Sequence, residues 1–95
     1  MEQGRIRLYY RFYGTVQGVG FRWHVMNVAR KHQLTGRVKN LSDGTVEAEI
    51  QGPSTSIQSW FTEVYQDRYS KIQNVEVSEI SICDGESDFY VESSW

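Results

Sequence analysis

The chain has one cysteine, one proline and no long apolar run. The lone thiol, Cys83, excludes an internal disulfide framework and fits a reducing cytosol, so a cytoplasmic location is expected. No apolar stretch nears the ~18 residues that a membrane span needs, and no membrane association is expected. The opening, MEQGRIRLYY, lacks the apolar region of a secretory leader. Neither sign of charge dominates. Ten Lys and Arg against twelve Asp and Glu leave −2, which argues against a general nucleic-acid or anionic-membrane binder. Only two histidines are present, His24 and His32, and no set of further ligands shares their spacing, so no metal site is expected. There is no linker, low-complexity tract or repeat. The 95 residues read as a single domain, 1–95, with one modest core.

What the chain does have is a pattern whose period changes several times. In RIRLYYRFY, residues 5–13, Ile6, Leu8, Tyr10 and Phe12 share one face, and Arg5, Arg7, Tyr9, Arg11 and Tyr13 share the other; this is a strand with one buried side. From Phe21 the spacing becomes helical, with Phe21, Val25, Val28 and Ala29 on one stripe and Gly36 closing the region. Residues 37–50 read as a hairpin turning at Asp43-Gly44. GPSTS, residues 52–56, precedes a second helical stripe of Ile57, Trp60, Phe61 and Val64. Val75, Val77, Ile80 and Ile82 mark a fourth strand with a register slip between Val77 and Ile80. Phe89 and Val91 mark a short fifth. The order βαββαβ is the ferredoxin-like α+β plan: an antiparallel sheet with two helices on one face.

Two stretches carry candidate chemistry. GTVQGVGFRW, residues 14–23, places Gly14, Gly18 and Gly20 between a strand and a helix start, with Arg22 in the first helical turn. A helix start has unpaired N–H groups and a partial positive charge, and flexible glycines let successive amides converge on an anion. Arg22 adds a bidentate fork suited to phosphate oxygens. The residues alone leave two readings open, an oxyanion cradle and a plain strand-to-helix turn. The Walker-type loop is excluded because Gly20 is followed by Phe21-Arg22 and not Lys-Ser/Thr; the dinucleotide fingerprint fails at Trp23. The second stretch ends its strand at Asn40. Its amide can hold a water and a ligand together, or serve as an ordinary turn residue.

Taken together, YGTVQGVGFR and GRVKNLSDGTVE resemble the two signature blocks of the acylphosphatase family. The first matches at Gly14, Val16, Gln17, Gly18, Val19, Phe21 and Arg22. The second matches at Gly36, Val38, Asn40, Asp43, Gly44, Val46 and Glu47. The similarity runs from about Ile6 to Glu92 and includes QGP at 51–53. It implies a ferredoxin-like fold and hydrolysis of the carboxyl–phosphate bond of small-molecule acyl phosphates, releasing inorganic phosphate, with no metal or cofactor. By position, Arg22 matches the family's phosphate-binding arginine and Asn40 the asparagine that orients the attacking water. The backbone of Gln17, Gly18, Val19, Gly20 and Phe21 matches the phosphate loop. The chain departs from the pattern at Arg37, where a tryptophan is usual, and at DRYSKIQN, residues 67–74, where Gly-Pro-Pro is usual. A tail follows FYV. A monomer is expected.

The implied chemistry suits these residues. A mixed anhydride has a good carboxylate leaving group, so no strong general acid is needed and catalysis is mostly positioning and charge stabilisation. Two rival classes share the strand order. One is an RRM-like RNA binder stacking bases on Tyr9, Arg11 and Tyr13, disfavoured by the charge and by TVEAEI in the third strand, which lacks the RNP1 pattern. The other is a module that senses phosphate without turnover. Cys83 is expected to be buried, and Asp84, Glu86 and Asp88 to form a solvated acidic loop.

Overall fold

The computed structural model of the chain describes residues 4–68 and 70–93. In chain order it comprises β1 (Arg5–Thr15), α1 (Phe21–Lys31), β2 (Thr35–Asn40), β3 (Val46–Pro53), α2 (Ser54–Tyr65), β4 (Lys71–Ile80) and β5 (Phe89–Val91). The strands form one sheet ordered β4-β1-β3-β2-β5. The first four pair antiparallel, as the sequence predicts. β5 lies parallel to β2, which makes the sheet mixed.

Both helices cover the face that carries Tyr10 and Phe12. Trp60 of α2 meets Tyr10 edge-on at 5.0 Å, and Phe21 of α1 meets Phe12 edge-on at 5.1 Å. Trp60, Phe12 and Phe21 are buried, and such a side chain contributes roughly 2–3 kcal/mol on leaving water. The Trp60 indole N–H donates to the Val25 carbonyl at 3.2 Å, which locks α2 against α1. The predicted stripes on both helices are the buried ones, although Phe61 is only partly covered.

Boundaries shift where local chemistry overrides periodicity. Helix α1 ends before Gly36, because Gln33 takes a left-handed φ of 58°. The Gln33 N–H donates to the Arg30 carbonyl and the Leu34 N–H to the Ala29 carbonyl, a Schellman termination without glycine. Gly36 lies inside β2. The hairpin forms as expected, with Asp43 Oδ1 accepting from the Thr45 N–H at 3.0 Å and from its hydroxyl at 2.6 Å. β4 starts at Lys71, earlier than Val75, and stops at Ile80, leaving Ile82 outside it. Pairing from Arg7↔Ile80 to Tyr13↔Asn74 is regular, so no slip falls between Val77 and Ile80. The irregularity is at Tyr13/Gly14, where Gln73 bulges. A Cβ on Gly14 would sit 2.1 Å from the Lys71 carbonyl oxygen, and φ there is 124°. The tail beyond Ser93, the first three residues and Tyr69 of the 67–74 segment lie outside the described residues.

The open face is a lattice of charges. Arg7, only 5% exposed, donates to Glu49, Gln51 and Glu86. Arg37 bridges Glu47 at 2.8 Å and Glu49 at 2.7 Å, which explains how an arginine sits where the family usually has tryptophan. Two expectations are corrected here. Glu86 is half-buried and reaches over the sheet to Arg7, so that part of the acidic loop is not simply solvated. Cys83 is exposed, and its backbone N–H and C=O pair with the Gln51 amide. The candidate RNA-stacking residues are likewise paired: Tyr9 donates to Glu47, Tyr13 to Glu76, and Arg11 bonds Thr45 and Asp43. Burial alone would push the Glu49 carboxyl up. Hydrogen bonds from Arg7 and Arg37, with their positive charges, prevail and hold it below the usual range.

Two outcomes follow. Gly14→Ala destabilises the protein by about 3 kcal/mol in urea denaturation, since the bulge leaves no room for a methyl group. Glu49 binds its proton less readily folded than unfolded, so its contribution is complete above about pH 4.3 and is lost as pH falls through the lowered folded value. The stability gap between wild type and Glu49→Gln therefore narrows on acidification. A gap constant from neutral pH down to about pH 3 contradicts this.

Candidate active site

The loop between β1 and α1 is pinned at both ends. Val16 and Phe21 are each 1% exposed, while Gly18 and Gly20 between them are open to solvent. Gly20 occupies the N-cap of α1 with φ 77°, and Gly18 has φ 74°. These left-handed conformations turn the chain back on itself, which glycine does without steric cost. No side chain caps the helix and its first turn holds no acidic residue. Among the described residues, the N–H groups of Gly18, Val19, Gly20, Phe21 and Arg22 donate to no backbone carbonyl. A positive helix pole with free donors results.

These donors border a hollow of about 100 Å³. Gly18, Gly20, Phe21 and Arg22 line it from the loop, and Asn40 faces it from the end of β2. Val16 and Trp23 complete the wall. The Asn40 Oδ1 is buried and has no hydrogen-bond partner, an uncommon state for a buried polar atom. Arg22 is half-buried and, among the described residues, its guanidinium forms no ion pair or hydrogen bond. Arginines of the sheet, such as Arg7, Arg11 and Arg37, are by contrast paired with carboxylates.

Of the residues singled out in the sequence, the structure thus brings Gly18, Gly20, Phe21, Arg22 and Asn40 together. Gln17 and Val19 do not line the hollow. The Gln17 side chain instead donates to the Leu41 carbonyl at 2.7 Å and the Thr45 carbonyl at 2.9 Å, tying the glycine loop to the β2–β3 turn beside Asn40. The Val19 side chain packs against the core. Val16 and Trp23 had no role assigned from sequence, yet both form the wall. Their places flanking the glycines were the available signal. His24 and His32 both turn to Glu63 on α2, His32 with a 2.7 Å contact to its carboxylate. Among the described residues, no three metal-ligating side chains cluster. A second, wider hollow of about 510 Å³ adjoins the first, sharing Gly20 and Trp23 with it and continuing past Asn27 to Gln66 and Arg68.

The family model for acylphosphatase matches residues 8–91. An acylphosphatase of Clostridium beijerinckii is 36% identical over 80 residues, covering 83% of this chain and 89% of that protein. The crystal structure of acylphosphatase from Bacillus subtilis aligns with a TM-score of 0.86 and 35% identity over 92% of this chain and 98% of that one. The crystal structure of full-length HypF in its phosphate- and nucleotide-bound form contains the same module, at a TM-score of 0.88 and 30% identity over 99% of this chain and 13% of that one. With sequence and fold agreeing over nearly the whole length, the chain belongs to the acylphosphatase family, hydrolases of acyl phosphates.

Proposed function

We propose that the small hollow binds the phosphoryl group of an acyl phosphate and that Arg22 and Asn40 carry the reaction. One observation bears most of the weight. An unpaired guanidinium and a buried, unpartnered amide oxygen converge on a space the size of a small oxyanion, at the positive pole of α1. The backbone amides of Gly18, Gly20 and Phe21 and the Arg22 fork hold the phosphoryl oxygens. The Asn40 Oδ1 accepts a hydrogen bond from a water and aims its oxygen at phosphorus. The water oxygen forms the new P–O bond, the bond from phosphorus to the carboxyl oxygen breaks, and the carboxylate departs with that electron pair. The water's protons pass to the phosphate and to solvent. Charge builds on the equatorial oxygens, where fixed amides and Arg22 stabilise it. Asn40 removes no proton; it contributes position. The positive charge comes from the protein, so turnover needs neither metal nor cofactor. The protein acts as a cytoplasmic monomer on a small molecule, with no nucleic acid or membrane partner.

Steady-state hydrolysis of acetyl phosphate in EDTA tests this. Wild type turns over, with inorganic phosphate as a competitive inhibitor. Arg22→Ala and Arg22→Lys lose most turnover and phosphate inhibition. Asn40→Ala loses roughly 10²- to 10³-fold in kcat, on the scale of removing one oxyanion donor. Near-normal turnover by Asn40→Ala contradicts its role. Phosphate binding without turnover assigns the protein to a sensor.

A further inference from the structure

We propose that the wider hollow beside the phosphate hollow receives the acyl group of the substrate, and that Trp23 selects aryl and other bulky uncharged acyl groups by stacking on them. This rests on the phosphate-cradle reading above and extends it to the substrate's other half. In that reading the small hollow, about 100 Å³, holds the phosphoryl group and its attacking water, so the acyl group lies outside it. In-line displacement fixes the direction: the leaving carboxylate departs opposite the water. Asn40, which holds the water in that reading, borders the small hollow and does not line the wide one. The two hollows share Gly20 and Trp23, so an acyl group that extends from the small hollow into the wide one lies against the indole.

The composition of the wide hollow gives the acyl class. Trp23 is 55% exposed, an apolar surface left in water at the mouth of a reaction site. Val19 adds apolar lining from the loop. The charged residues there, Asp67 and Arg68, are of opposite sign and adjacent, and the His24 ring is turned to the Glu63 carbonyl at 3.4 Å. The hollow therefore offers a flat aromatic platform with no excess charge. A planar, uncharged acyl group gains most from it.

The test compares kcat/KM for benzoyl phosphate and acetyl phosphate in wild type, Trp23→Ala and Trp23→Phe. Acetate and benzoate are leaving groups of similar basicity, so the ratio reports contacts to the acyl group. Wild type favours benzoyl phosphate by roughly tenfold; Trp23→Ala brings the two toward parity, and Trp23→Phe, which keeps a ring, retains most of the preference. No preference in wild type overturns the proposal, as does a ratio unaltered in Trp23→Ala or a parallel fall for both substrates. A preference for succinyl over benzoyl phosphate that vanishes in Arg68→Ala also overturns it, assigning the hollow to anionic acyl groups. Failure of the cradle itself shows separately, as undiminished acetyl phosphate turnover by Arg22→Ala.

Discussion

The positive pole of α1 is left unneutralised, and the site is organised around that fact. The helix begins without a capping side chain or an acidic first turn, and its cap residue is a left-handed glycine. In most helices such an end is satisfied locally. Here the donors are held open by two buried anchors, Val16 before the glycines and Phe21 after them. Phe21 packs on Phe12 of the interior strand β1, so the core fixes where the amides point. A site on a loop gains rigidity when its ends belong to the core, and charge stabilisation depends on that rigidity.

The opposite face of the sheet serves the same end. Glu47, Glu49 and Glu86 occupy Arg7 and Arg37, while Asp43 and Glu76 engage Arg11 and Tyr13. Carboxylates are thereby committed on the open face, and among the described residues none pairs with Arg22 at the loop. The lattice also reaches the site mechanically. Arg11 contacts Thr45 and Asp43 in the β2–β3 turn, and Gln17 donates to the Leu41 and Thr45 carbonyls of the same turn. Asn40 stands at the start of that turn, so its position relative to the glycine loop is set by hydrogen bonds from both sides.

Much of this was legible in the residues. Alternation in β1, the two helical stripes and the Asp43-Gly44 hairpin follow from period and turn chemistry, because each depends on neighbours close in sequence. The signature blocks located the loop and Asn40. What stayed hidden depends on distant partners or on backbone geometry. Arg7 is buried only because Glu49 and Glu86 meet it from 42 and 79 positions away. Cys83 is exposed because the segment it belongs to is held by its backbone to Gln51, leaving the thiol outside. Gln33 ends α1 in a conformation that sequence reasoning reserves for glycine, and Gly14 makes a bulge that hydropathy does not mark. Trp23 entered the sequence reading only as the residue at which the dinucleotide fingerprint fails, and it is an exposed residue of α1. Its significance comes from the two hollows that it lines in common.

The central claim is that backbone amides at the start of α1, with Arg22 and Asn40, enclose a tetrahedral oxyanion. Titrating 15N-labelled protein with inorganic phosphate, and following amide and side-chain resonances, tests it directly. The account predicts saturable shifts largest at Gly18 to Arg22 and at the Asn40 side-chain amide. Shifts that fail to saturate there, or that centre on another surface of the protein, contradict it.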